Sequence, residues 1–159
     1  MKTRIVNILS VASLLIGFVY AEIGNIVGGQ VGQWYIHCDE TLWHCTGTDQ
    51  LQQATFFEEL GDARYSTYPY RQYRVQGTNL CLRILDYNEE LSLYTCTAGL
   101  SPATNELWKF TNINGAAQLV SKYKSDQSVW WQGLDLPLVT VPACGGAWEC
   151  RWWFQPKQA

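Results

Sequence analysis

The clearest period-two pattern in the chain runs from Asn79 to Phe110, NLCLRILDYNEELSLYTCTAGLSPATNELWKF. Leu80, Leu82 and Ile84 alternate with Cys81 and Arg83, the signature of a half-buried strand. Asp86, Tyr87, Asn88 and two glutamates break the pattern as a polar turn does. Alternation resumes at Leu91, Leu93 and Thr95, with Ser92, Tyr94 and Cys96 on the other face. Both cysteines stand opposite their leucine rows, so paired strands would set Cys81 beside Cys96. That bond would close a loop of about 15 residues, worth roughly 3 kcal/mol in the chain-entropy model. Polar Gly99 to Asn105 then leads into a strand through Leu107, Trp108 and Phe110. One such unit cannot cover its own apolar face and needs partners.

A shift of 48 residues carries Cys96 to Cys144, where LVTVPAC repeats the pattern of LSLYTC. Val139 and Val141 then take the places of Leu91 and Leu93. Trp152 and Phe154 in RWWF repeat Trp108 and Phe110 in LWKF after a shorter loop. Upstream, TLWHC ends at Cys45 and QQATFF follows where NELWKF would. Three units of about 40 residues each predict an internal repeat. Leu82, Leu93 and Trp108 are expected to meet Val141 and Trp152 in one core.

The other segments supply short strands and turns. Ile26 and Val27 read as a first strand. Trp34 to Ile36 and Leu42-Trp43 read as arms of a hairpin turning at Asp39-Glu40. LQQATFFEEL has good helix formers, but the repeat makes Thr55 to Phe57 a strand, preceded at most by a short helical turn. Arg64 to Arg74 carries four tyrosines and three arginines around Pro69, read as an edge strand and loop or as an exposed aromatic and cationic binding face. Asn112 to Gly115 is a turn, Leu119 to Tyr123 and Val129 to Trp131 are strands, and Asp135-Leu136-Pro137 is another turn. CGGAWEC is a tight loop that needs glycine's conformational freedom. No Pro-rich or low-complexity linker interrupts the chain, so one all-β barrel or sandwich is predicted.

Composition narrows the setting. Lys2 and Arg4 precede an apolar run from Ile5 to Tyr20, and Val19-Tyr20-Ala21 fits a cleavage site, so residues 1–21 are expected to be a signal peptide and 22–159 a single domain. No further apolar run is long enough to span a membrane. Without Lys2 and Arg4 the fourteen acidic residues outnumber the basic ones by five, with no basic cluster, which argues against a nucleic-acid partner. All six cysteines follow the leader, as a secreted disulfide framework would have them. Six cysteines allow fifteen pairings. Patterning favours Cys81 with Cys96, and proximity favours Cys38 with Cys45 and Cys144 with Cys150. The pairs His37-Cys38 and His44-Cys45 also admit a zinc site. An oxidising compartment favours a disulfide there instead.

CLRI, then LSLYTC, then NELWKF resembles one repeat of the ricin B-type lectins, which are three-repeat β-trefoils. That family's repeat runs Cys-Leu-Asp, an apolar strand ending in Cys, then Gln-x-Trp. The resemblance covers Asn79 to Phe110 and then Gln118 to Phe154. The Gln of Gln-x-Trp is replaced by Glu106 in the second repeat and by Cys150 in the third. The resemblance implies an all-β, disulfide-stabilised β-trefoil of three repeats, binding glycans without a cofactor. Each family site uses an Asp two residues after the first Cys, an aromatic two before the second Cys, and the Asn before Gln-x-Trp. Carried onto the second repeat, these give Tyr94 and Asn105, while Arg83 stands in the Asp place and Asp86 is the nearest substitute. In the third repeat the places hold Trp131, Pro142 and Glu149, which implies no sugar site. In the first, Trp43 takes the aromatic place with Gln52 and Gln53 opposite.

Eight tryptophans and nine tyrosines suit sugar binding, because the apolar C–H face of a pyranose stacks on aromatic rings while amides and carboxylates orient its hydroxyls. Enzymatic signatures are missing: there is no Gly-x-Ser-x-Gly elbow, no phosphate-cradling loop and no His-Glu-x-x-His. Adjacent acids at Glu58-Glu59 and Glu89-Glu90 point apart and make solvated pairs rather than a facing dyad. Two functions are therefore expected. The first is a secreted, extracellular and monomeric carbohydrate-binding module; the alternative is a secreted protein-binding protein, an inhibitor or effector, on the same scaffold with lost sugar sites.

Overall fold

The computed structural model describes residues 21–30, 33–61, 69–85, 89–98, 102–123, 127–142 and 144–158. The body of the expected leader lies outside them, as do Asp86 and much of the tyrosine-arginine stretch. The strands are β1 Glu22–Gly28, β2 Trp34–Asp39, β3 His44–Thr48, β4 Phe56–Leu60, β5 Gln72–Val75, β6 Leu80–Ile84, β7 Leu91–Thr95, β8 Trp108–Ile113, β9 Ala116–Ser121, β10 Ser128–Trp130, β11 Val139–Val141 and β12 Trp152–Pro156. Among the described residues, helix is limited to three 3-10 turns, Leu51–Gln53, Thr104–Glu106 and Trp148–Cys150. The expected all-β, disulfide-stabilised class is the one found.

The strands β1-β2-β3-β7-β6-β5-β4 form a ring, closed because β4 pairs back onto β1. Closure removes the unpaired edges an open sheet would expose. Strand β12 lies antiparallel on β1, and β8-β9-β10-β11 form a second sheet. Strand β5 is not an edge strand, since it pairs with both β4 and β6. Asn114 and Gly115 join β8 to β9 with φ of 52° and 79°, the left-handed geometry a two-residue hairpin turn requires. The first hairpin differs from its expected form. Its arms are β2 and β3, and Leu42-Trp43 belong to the turn between them.

The hairpin of β6 and β7 follows its sequence pattern: Leu82 pairs with Leu93 and Ile84 with Leu91, and all four are buried. The third unit is displaced by one residue from the expected register. Val129 pairs with Thr140, and the buried pair on β11 and just before it is Leu138 and Thr140. Val139 and Val141 are only half-buried, so Val141 is outside the core, and Leu138 and Thr140 take the places expected for Val139 and Val141. A one-residue slip turns over every side chain of a strand. The correct offset to the second unit is fixed by two indoles. Trp108 Nε1 donates to the carbonyl of Leu82 at 2.9 Å, and Trp152 Nε1 donates to that of Val129 at 3.1 Å.

Strands β3 and β7 and the residue before β11 meet at a hydrogen-bonded junction. Leu91 N donates to Leu138 O at 2.8 Å, and Leu138 N donates to Cys45 O at 3.0 Å. All three side chains are buried, and the surrounding core includes Ile26, Ile36, Phe57, Leu82, Trp108 and Trp152. Tyr73 enters the same core, and its hydroxyl donates to Glu59 at 2.8 Å. Burial first, and then the Glu59 carboxylate, push its phenol well above the ordinary tyrosine range. Disulfides join Cys38 to Cys45, Cys81 to Cys96 and Cys144 to Cys150.

Candidate functional site

Strands β6 and β7 turn Arg83 and Tyr94 away from the leucine rows. The guanidinium carbon of Arg83 lies 4.5 Å from the centre of the Tyr94 ring, a cation–π geometry. Asn105, held in the 3-10 turn before β8, is buried beside it. With its amide oriented to satisfy both groups, its oxygen accepts from Arg83 Nε at 2.7 Å and Nη2 at 2.9 Å. Beneath lies Glu106, fully buried. Its carboxylate accepts from Thr97 N at 2.9 Å, Thr97 Oγ1 at 3.0 Å and Gln72 Nε2 at 2.9 Å. Arg83 Nη1 completes the cluster 3.8 Å away. Arg83 thus occupies the space between Tyr94 and Asn105.

Trp43 joins this corner rather than one of its own. It holds φ at 61° in the β2–β3 turn and meets Tyr94 edge-on, with ring centres 5.7 Å apart. Its carbonyl accepts from Leu93 N at 3.1 Å and from Ser92 Oγ. The assignment of Trp43 to a first-unit site is therefore corrected. Cys45 lies near the start of β3, paired with Cys38, instead of at the end of a strand, so Trp43 falls in the turn before it.

Gln53 stays apart from Tyr94 and Asn105. Its side-chain oxygen accepts from Thr48 Oγ1 at 3.0 Å, and its backbone carbonyl lies 2.6 Å from His37 Nδ1. It lines a cleft of about 250 Å³ with Thr48, Asp49, Gln50, Leu134 and Asp135, which has no aromatic wall among the described residues. The Cys38–Cys45 disulfide uses both thiols of the alternative zinc site. Among the described residues no group of three or more His, Cys, Asp or Glu could hold a metal ion.

The third unit presents an open cleft of about 320 Å³, lined by Trp130, Val141, Cys144, Ala147 and Glu149. The register fixed by Val129 and Thr140 explains its composition. Trp130 stands in the place of Arg83, Val141 in that of Tyr94 and Glu149 in that of Asn105. The expected set was Trp131, Pro142 and Glu149. Two of those three are displaced by the same one-residue slip. Trp130 is 40% exposed, whereas Trp131 turns the other way and stacks on Trp34 at 4.2 Å. Fully buried Cys150 replaces Glu106, and its partner Cys144 replaces Thr97. Chemically, the cleft combines an indole face, an apolar floor and one carboxylate, a set that can cover the C–H face of a ring and orient hydroxyls. An offset of 47 residues between the two hairpins, which carries Leu82 to Val129, rather than the 48 that carries Cys96 to Cys144, would have placed Trp130 at the position of Arg83.

No family model matches the chain, and no curated protein sequence does. Several solved structures share the fold. A GlcNAcα1-4Gal-releasing endo-β-galactosidase from Clostridium perfringens matches with a TM-score of 0.64 and 15% identity, over 86% of this chain and 33% of that one. A Polyporus squamosus lectin bound to Neu5Acα2-6Galβ1-4GlcNAc matches with a TM-score of 0.61 and 16% identity, over 87% of this chain and 50% of that one. The chain therefore spans between a third and a half of the length of these neighbours.

Proposed function

We propose that the protein is a secreted, non-enzymatic carbohydrate-binding module, a ricin B-like β-trefoil of three units with its sugar site in the Trp130–Glu149 cleft. The observation that carries this reading is an exposed indole beside a carboxylate in an open cleft of about 320 Å³. That volume is at the small end of the range for ligand sites, as a site for one or two sugars should be. The trefoil is supported by the junction of Cys45, Leu91 and Leu138 and by the matched indole bonds of Trp108 and Trp152. Three disulfides support an oxidising, extracellular location after removal of residues 1–21, leaving 22–159 as one domain. Among the described residues no helix is long and apolar enough to cross a membrane.

Binding without catalysis is favoured by the cleft's chemistry. Glycosidases generally use a pair of carboxylates about 5–10 Å apart, whereas among the described residues Glu149 is the one carboxylate lining this cleft. The lectin neighbour is bound to a glycan containing Galβ1-4GlcNAc, and the enzyme neighbour releases GlcNAcα1-4Gal. A galactose-containing glycan is accordingly the first ligand to test. One stacked ring with a few hydrogen bonds supports affinity on the order of millimolar, about −4 kcal/mol.

A protein-binding function on the same scaffold is favoured by a different observation. Leu42, Trp43 and Tyr94 are all exposed, and Trp43 and Tyr94 touch. Calorimetric titration of N-acetyllactosamine, up to tens of millimolar, separates the two. The sugar reading expects saturable binding that weakens at least about tenfold in Trp130→Ala, a change of about 1.4 kcal/mol. Absence of binding in the wild-type protein would leave the protein-contact reading in its place.

A further inference from the structure

Three indoles gather on the other side of the Trp148–Cys150 turn. Trp34 lies 4.2 Å from Trp131 and 4.7 Å from Trp148, and Trp131 lies 5.6 Å from Trp148. Two glycines make room for them. A Cβ on Gly29 would strike the ring of Trp34, and one on Gly47 would strike the ring of Trp131. Gly29 also holds φ at 95°, which a side chain rarely permits. The outer ring of the group, Trp148, is 37% exposed. It walls a cleft of about 200 Å³ together with Trp34 and the exposed amides of Gln30 and Gln33.

We infer that this Trp34–Trp148 cleft is a second sugar subsite, and that the ligand is a linear, uncharged oligosaccharide rather than a single terminal sugar. The inference rests on the sugar-binding reading of the Trp130–Glu149 cleft. Two aromatic rings and two amides repeat the chemistry that suits a pyranose, and among the described residues no charged group lines this cleft. Each amide offers both a donor and an acceptor, the pairing that a row of hydroxyls needs. The two clefts share one short turn: Ala147 and Glu149 line the first, and Trp148 between them lines the second. Consecutive Cα atoms are only about 3.8 Å apart, so adjacent residues of one turn wall the two clefts, and a linear chain laid across that turn would meet both. The Cys144–Cys150 disulfide fixes this turn, so binding has little loop to order. A ligand seated in the first cleft presents its next sugars to the second at high effective concentration, which raises affinity with chain length.

The test is a calorimetric series with N-acetyllactosamine and its linear dimer and trimer as probes. The wild-type protein should bind the dimer at least about tenfold more tightly than the single disaccharide. Trp148→Ala should cut that preference to under about threefold, and Gln33→Ala, at an exposed position, should reduce it in part. A wild-type protein that binds all three probes equally overturns the second subsite while leaving the Trp130 cleft standing. A length preference that survives unchanged in both variants overturns it too. No binding to any probe overturns this inference together with the sugar-binding reading beneath it.

Discussion

The second and third units solve one packing problem in two ways, and the difference decides which pocket stays open. In the second unit the loop after β7 is tied down by hydrogen bonds from Thr97 to buried Glu106. In the third, Cys144 and Cys150 occupy those two places and the tie is covalent. A buried carboxylate needs a cation or several donors to offset its lost hydration. Arg83 supplies the cation from 3.8 Å, and in doing so fills the space between Tyr94 and Asn105. A disulfide needs no counter-charge. The place of Arg83 is therefore free for Trp130, and the cleft remains open. The choice of tie, a charge or a covalent bond, thus governs access to the outer pocket.

Removing the tie in the second unit should have the largest effect. Glu106→Ala removes the acceptor of Thr97 N and Oγ1 and the counter-charge of Arg83, and should lower stability by about 3–5 kcal/mol in urea unfolding. Replacing both Cys144 and Cys150 by serine should cost about 2 kcal/mol, since the closed loop is short. A greater loss from the disulfide than from Glu106 would break the comparison.

A double change should convert one pocket toward the other. Arg83→Ala with Glu106→Gln removes the buried charge and its counter-ion together, so the loss should be smaller than for Glu106→Ala alone. It also uncovers Tyr94 and Asn105. Weak binding of N-acetyllactosamine, on the order of millimolar, should then appear at a second location. Tyr94→Ala added to that variant should abolish the new binding.

A smaller effect contrasts Glu106 with a buried group kept neutral. The phenol of Tyr73 is raised above its unfolded value by burial and by Glu59. Its contribution to stability is complete below the unfolded value of about 10 and is lost as pH rises beyond it. Unfolding measured between pH 9 and 11 should show a decline that Tyr73→Phe lessens.

The fold was most legible where apolar alternation was unbroken. Leu82, Ile84, Leu91 and Leu93 are buried as their period requires, and Cys81, itself fully buried, bonds Cys96 on the side away from the leucine rows. The third unit misled for a physical reason. Buried Thr140 is polar, satisfied by Gln127 and the Glu89 carbonyl, while Val139 and Val141 are β-branched yet half-exposed. Cys144 looked like the end-of-strand cysteine but stands one residue further along, at the place of Thr97. The candidate site was legible only in part. Tyr94 and Asn105 each touch Arg83, and no pattern showed that Arg83 would stand between them. Trp43 reached the same corner through a left-handed turn, a conformation that a tryptophan does not announce.

The most direct test of the open cleft and the closed corner is an NMR titration that follows all the tryptophan indole N–H signals with N-acetyllactosamine. The signal of Trp130 should move saturably with increasing sugar, while those of Trp43 and of the amide of Tyr94 stay in place. Saturable shifts at Trp43 and Tyr94 with none at Trp130 would contradict the account.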